Sequence, residues 1–177
     1  GITIFELNEK MDEGDTLSRE EVEIRPGETA GALEARLAGV GAGLLVATLD
    51  GIDRLHRTPQ DHRLASTAPR LNKEQGRIDW SRGPEEIGRM IRAFSPWPGA
   101  FTFWKGERLI VHSGRAVVET GTCGPPGRVL STGEGGISVC CAGGALVIER
   151  LQRENKKALT APDFLRGTRL APGEILG

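Results

Sequence analysis

The 177-residue chain contains no Tyr, and its aromatic content is three Trp and five Phe. Any core must therefore be built mainly from aliphatic side chains, with few large aromatic anchors to spare. Cysteine is scarce too. Cys123, Cys140 and Cys141 are odd in number and lack a CxxC spacing, a pattern that favours structural burial over redox chemistry. If Cys140 and Cys141 share a strand, their side chains face opposite sides. Three buried thiols in a reduced, cytoplasmic setting are expected. Long hydrophobic runs are missing as well: the most apolar stretch, Val40 to Leu49, is interrupted by Gly and Thr. It falls short of the ~20 apolar residues of a spanning helix, so no membrane partner is expected. No internal repeat is found. Glycine is abundant, at 25 residues.

The formal net charge of −1 hides an asymmetry. Residues 1–57 hold 6 Lys/Arg against 12 Asp/Glu and carry −6, whereas residues 58–177 hold 17 against 12 and carry +5. Such a split suggests two units with different partners, the basic one suited to a polyanion.

Residues 2–7 and 17–24 alternate as strands do, and Arg25-Pro26-Gly27 is a turn at the end of the second. Thr29 is placed to cap a helix with Leu33, Leu37, Val40, Leu44 and Thr48 on one stripe, ended by Asp50-Gly51. Residues 1–53 thus read as strand, acidic loop, strand and helix, the closing part of an α/β domain rather than a whole one. Gly1-Ile2-Thr3-Ile4-Phe5 reads as a strand already under way, so a fragment is expected. Residues 54–72 lack periodicity and read as a polar linker. Its His56 and His62 have no Cys or carboxylate pattern beside them and read as surface residues, so no metal site is expected.

Residues 73–177 read as a second domain. Gly83-Pro84-Glu85-Glu86 starts a helix with Ile87, Met90, Ile91 and Phe94 on one face, flanked by Arg89 and Arg92. Ser95-Pro96-Trp97-Pro98-Gly99 stops it. Short strands are expected at 100–104, 108–112, 116–119, 127–130, 136–141 and 145–152, with hairpin turns at Lys105-Gly106-Glu107 and Ala142-Gly143-Gly144. A last helical turn spans 162–166. One helix followed by short strands suggests a mainly β, OB-like open barrel.

The run Met11-Asp12-Glu13-Gly14-Asp15 is the sharpest chemical feature. A carboxylate beside Gly in a strand-connecting loop is well placed to orient a His or take a proton. Acids in loops are more often solvated turn residues. What raises the loop above that is a resemblance. Gly1–Phe5, Met11–Asp15 and Ile24-Arg25-Pro26-Gly27-Glu28-Thr29 together resemble the folate-dependent formyltransferases. Arg77-Ile78-Asp79-Trp80, Arg92-Ala93-Phe94-Ser95-Pro96-Trp97-Pro98-Gly99-Ala100, Leu151-Gln152 with Lys156-Lys157, and Phe164-Leu165-Arg166-Gly167 resemble the branch acting on methionyl-tRNA. The Pro-Trp-Pro-Gly segment is shared with sugar-nucleotide formyltransferases; the tail favours the tRNA branch.

The resemblance implies a Rossmann-like catalytic domain, of which residues 1–53 would be the end. It implies formylation of initiator methionyl-tRNA for translation initiation, with 10-formyltetrahydrofolate as donor and no metal. It implies a cytoplasmic monomer when full-length. The family uses an Asn, a His and an Asp; on the motif the Asp is Asp12, while the Asn and the His would lie upstream. The chain alone would then be inactive but able to contact tRNA. Asp15 would shape the loop, and Glu13 stands where Thr or Ala is usual. Candidate tRNA contacts are Arg63, Arg70, Lys73, Arg77, Arg89, Arg92, Lys105, Arg150, Arg153, Lys156 and Lys157. Trp80, Trp97 and Trp104 are candidates for base stacking, although core packing is the better reading for Trp80 and for Trp97, fixed between two prolines. The rivals are a sugar-nucleotide formyltransferase, against which the +5 charge speaks, and a non-catalytic RNA-binding module.

Overall fold

The alternating residues near the start form an antiparallel pair in the computed structural model: β1 (Ile2–Phe5) and β2 (Thr16–Glu20). The structure describes residues 1–118 and 123–177. β2 is shorter than the expected run to Ile24, because its pairing with β1 ends at Glu20 opposite Ile2. Ile24 is exposed. The chain divides into two compact units, Gly1–Arg70 and Leu71–Gly177.

In the first unit, α1 (Ala30–Asp50) is capped by Thr29, whose hydroxyl accepts from the Ala32 amide at 3.3 Å. Leu33, Leu37, Val40, Leu44 and Thr48 are the shielded stripe, while their neighbours Leu45, Val46 and Leu49 are exposed. The helix packs against the strands: a Cβ at Gly41 would stand at ordinary contact distance from the Ile2 side chain. Thr48 is buried, donates to the Leu44 carbonyl at 2.7 Å and shares a 2.6 Å bond with the Ser18 hydroxyl. Helix and sheet are thus joined by one polar link inside an apolar contact. Because Gly39, Gly41 and Gly43 do not break it, α1 is continuous over 21 residues and, by length and composition, long and apolar enough to cross a membrane.

The turn before α1 is pinned by charge. Glu28 accepts from the Arg25 amide at 3.0 Å and from Arg36 Nε and Nη2 at 2.9 and 2.8 Å. Arg36 also donates to the Glu23 carbonyl at 2.7 Å. This bidentate pair, helped by the amide, holds the Glu28 carboxyl down at about 2.

The second unit contains α2 (Pro84–Ala93), β3 (Ala100–Trp104), β4 (Glu107–Val118), β5 (Val129–Gly133), β6 (Gly136–Cys141), β7 (Gly144–Arg153), β8 (Leu159–Thr160) and α3 (Ala161–Gly167). Among the described residues the strands form one antiparallel sheet in the order β3-β4-β7-β6-β5, with β8 beside β7. It is mainly β with few helices. The two strands expected at 108–112 and 116–119 are one strand, β4. Ser113-Gly114 makes a bulge rather than a break, since the chain keeps pairing with β7 on both sides of it. Glu119, expected to end that strand, lies outside the described residues.

Ile87 and Ile91 of α2 pack with Leu109, Val111, Ile137, Leu146, Ile148, Leu151 and Phe164 in a single core. Trp80 is buried in it and donates its indole N–H to Thr102 at 3.0 Å. Trp104 is 8% exposed. Trp97 corrects the expectation of core packing: it is 51% exposed, because the turn buries Pro98 and leaves the indole outside.

The two sheet edges are occupied by irregular chain. Ile78 donates to the Phe101 carbonyl on β3 at 2.8 Å. At the other edge, Val129 donates to the Glu174 carbonyl and Gly173 to the Val129 carbonyl, both at 2.8 Å, and Leu176 donates to Gly127 at 2.9 Å. Gly177 then donates to Phe103, so the last five residues reach from β5 to β3. Glu174 in this segment takes the Lys105 ammonium and the Trp104 indole N–H, which hold its carboxyl below the usual range.

Cys123 and Cys140 depart from the expected reduced thiols: their sulfurs are bonded. The amide of Cys140 donates to Arg128 and its carbonyl accepts from Gly127, bringing the 123–128 segment alongside β6. The two Cα atoms then lie 5.6 Å apart, inside bridging range. Cys141 is free and buried, and burial pushes its thiol up to about 11.

The Glu28 carboxyl titrates lower when folded than when unfolded, so its contribution to stability is present above about pH 4.5 and lost as pH falls toward 2. The thermal midpoint difference between wild type and Glu28→Gln is expected to be widest above pH 4.5 and to vanish near pH 2. A difference independent of pH in a series of melts contradicts this.

Candidate functional site

The loop joining β1 to β2 is held by backbone closure. Glu6 donates to the Asp15 carbonyl at 3.0 Å, and the buried Gly14 lies so close beneath the Glu6 carbonyl that a Cβ there would overlap its oxygen. Asp12 adopts φ 56°, a left-handed conformation that Asp tolerates better than most side chains. It stands out of the loop, exposed, beside the exposed Met11.

Two of the neighbouring acids, Glu6 and Glu13, have partners. Glu6 binds Arg57 at 2.8–2.9 Å, which raises the Arg57 guanidinium further. Glu13 pairs with Lys10 at 3.1 Å and lies 3.9 Å from His62 Nδ1. Asp12 has no ion pair among the described residues. Glu9 and Asp15 likewise have no ion pair among the described residues, but within the Met11–Asp15 run Asp12 is the exposed acid, on a backbone fixed from below. A carboxylate so placed can accept a proton or orient an imidazole, given a substrate or a His within reach.

Part of the polar stretch expected as linker belongs to this loop. Thr58 exchanges backbone bonds with Thr16 at 2.9 and 3.0 Å. The Gln60 side-chain amide donates to the Asp12 carbonyl at 2.9 Å and to the Gly14 carbonyl at 2.7 Å. Nothing in the sequence distinguishes Gln60 from its polar neighbours. Asp61 beside it caps a short helical turn at 62–64.

The basic residues differ in their local surroundings. Arg63 is bound by Asp61, and Arg70 falls in the first unit. In the second unit Lys73 is exposed in a capped turn at 73–76, and the Arg77 guanidinium lies 5.5 Å over the Phe103 ring. Arg89 pairs loosely with Glu85 at 3.7 Å, and Arg92 is half-buried on α2. Lys105 is held by Glu174 and the Trp104 ring. Arg153 is matched by Glu107 at 2.5 Å.

Arg150, Lys156 and Lys157 are exposed at the end of β7 and in its turn toward β8. That turn is braced: Gln152 donates to the Lys156 carbonyl at 2.6 Å and contacts His112 Nε2 through its own oxygen at 2.7 Å. Since that oxygen only accepts, His112 Nε2 carries the proton. Arg108 is a cation the sequence did not single out. It lies 3.8 Å over the Phe101 ring, and its Nε is buried without a partner among the described residues.

Among the described residues no cluster of three or more His, Cys, Asp or Glu could hold a metal ion.

Comparison with known proteins gives these contacts a context. Residues 70–169 match the family described as formyl transferase, C-terminal domain, and residues 1–49 match formyl transferase. The methionyl-tRNA formyltransferase of Geotalea uraniireducens is 44% identical over the whole chain and 56% of its own length. That of Geobacter metallireducens is 42% identical over the whole chain and 57% of its length. The chain thus spans a little over half the length of these relatives. HypX from Aquifex aeolicus, solved in complex with tetrahydrofolic acid, superposes with a TM-score of 0.65 at 21% identity. It covers 92% of this chain and 29% of that one, a likeness of fold.

Gly14→Ala is expected to destabilise the first unit by about 1–3 kcal/mol, because the methyl must displace the Glu6 carbonyl or the loop. Denaturant unfolding at wild-type stability contradicts the close approach.

Proposed function

The chain belongs to the formyltransferase family, and from that premise we propose that it is the Asp-bearing end of the catalytic domain plus the tRNA-binding domain of a methionyl-tRNA formyltransferase. The single observation that carries the proposal is the Asp12 carboxylate, the exposed acid of the Met11–Asp15 run, on a left-handed turn and without an ion pair among the described residues. The identity of the whole chain with enzymes of that name favours this reading over a sugar-nucleotide formyltransferase.

The donor, 10-formyltetrahydrofolate, supplies the electrophilic formyl carbon when bound. This chain provides one carboxylate toward that chemistry, while most of the folate pocket and the Asn and His of the family lie elsewhere. As the methionyl α-amino nitrogen bonds to the formyl carbon, the carbon–N10 bond breaks and tetrahydrofolate leaves; the attacking nitrogen loses one proton and the departing N10 takes one up. Asp12, directly or through the His it orients, accepts the proton that the attacking nitrogen loses. A carboxylate on a preformed left-handed turn does so without reorganising the loop.

The second unit has the form of an OB-like, partly open barrel, a reading supported by the last five residues reaching across from β5 to β3. Its binding to tRNA would rest on phosphate contacts. Lys156 and Lys157, free of acidic partners among the described residues and braced by Gln152, are its best candidates, with Arg150 beside them. Arg153 and Lys105 contribute less, since Glu107 and Glu174 already neutralise them.

In the natural protein carrying this chain, Asp12→Asn is expected to lower kcat by roughly 10²–10⁴ with tRNA affinity unchanged. Turnover like wild type removes Asp12 from the chemistry. The Lys156→Ala/Lys157→Ala double variant is expected to reduce the slope of log affinity for tRNA against log salt by about two. An unchanged slope removes the pair from the interface.

A further inference from the structure

We propose that Gln60 is a positioning residue for Asp12, a second element of the site contributed from outside the acidic loop. The inference rests on the catalytic role proposed for Asp12. Both protons of the Gln60 amide are used on one short stretch of chain: Nε2 lies 2.9 Å from the Asp12 carbonyl and 2.7 Å from the Gly14 carbonyl. One planar amide group therefore binds two carbonyls separated by a single residue. A hydroxyl has one proton to give, and a carboxylate none.

The bonds fall where they set the direction of Asp12. Fixing the Asp12 carbonyl fixes the peptide plane on its C-terminal side, and so the ψ angle that accompanies its φ of 56°. Fixing the Gly14 carbonyl fixes the next turn of chain, whose far side is tied by Glu6 donating to Asp15 at 3.0 Å. Asp12 itself has no ion pair among the described residues to hold it. Its orientation therefore comes from the backbone, and the backbone is held by Gln60.

Gln60 is itself anchored. Two residues before it, Thr58 exchanges backbone bonds with Thr16, the first residue of β2. Arg57 binds Glu6 at the end of β1, and Asp61 caps the following turn. The clamp thus stands on the same strand ends that carry the loop. It gives residues 57–60 a role distinct from a tether.

The test uses Gln60→Glu, nearly isosteric but without donors, and Gln60→Ala, in the natural protein carrying this chain, beside Asp12→Asn. Two readouts are taken: amide hydrogen exchange at Glu6 and Thr16, and steady-state formyl transfer. The expected result is exchange at these amides at least tenfold faster in both Gln60 variants. With it, kcat falls at least tenfold while KM for both substrates stays within about twofold. A fall in kcat matched by a rise in KM and a lowered melting temperature indicates general unfolding and overturns the positioning role. Gln60 variants with wild-type exchange and kcat, alongside a crippled Asp12→Asn, overturn the clamp and leave Asp12 in place. An active Asp12→Asn overturns the reading of Asp12, and with it the positioning role, whatever the exchange data give.

Discussion

The first unit depends on the close approach of Gly14 to the carbonyl of Glu6. With no side chain at residue 14, the connection between β1 and β2 folds tightly enough for Glu6 to reach Asp15. That closure sets the register in which β2 pairs with β1. It brings Ser18 to the point where it meets Thr48 of α1. It also presses the base of the loop inward and turns Asp12 outward, and it presents two carbonyls to Gln60. A single backbone constraint thus links strand pairing, helix docking and the exposure of one carboxylate.

The second unit follows a different rule. Its sheet is long-range in every pairing beyond the hairpins, and its edges are covered by chain that is not regular strand. Residues 77–78 lie on β3, and residues 173–177 run from β5 to β3. Covering both edges answers the liability of open strands. It also engages several charges internally: Glu174 with Lys105, Glu107 with Arg153. Each such pair removes one cation and one anion, so the +5 excess stands while fewer cations are left free for a partner. Among the described residues, exposed cations without an acidic partner stand at Lys73 and Arg77 as well as at Lys156 and Lys157, where Gln152 holds the backbone.

Local features were legible in the sequence. The stripe and Thr29 cap of α1, the Pro-led start of α2 and the Lys105-Gly106 hairpin depend on residues near one another in the chain. Lys105 and Gly106 at φ 51° and 80° suit a two-residue turn. Features that depend on a distant partner were not legible. Ser113-Gly114 reads equally as a strand end or a bulge until β7 is seen beside it. Trp97 faces out because Pro98 turns in, a choice composition does not reveal. Cys123 and Cys140 become partners only when the 123–128 segment lies along β6. At the proposed site, the reading of Asp12 comes from its motif and family resemblance, whereas Gln60 lies in a stretch without periodicity. Its importance comes from a loop 46 and 48 residues earlier.

The central claim is that Asp12 is presented, by a fixed backbone, to the reacting groups of formyl transfer. The most direct measurement is a crystal structure of the natural protein carrying this chain, with a folate and a methionyl-tRNA acceptor end bound. The account predicts the Asp12 carboxylate within hydrogen-bond reach, about 3 Å, of the attacking amine or of an imidazole that contacts it. A carboxylate facing solvent in that complex, with another acid beside the amine, would contradict it.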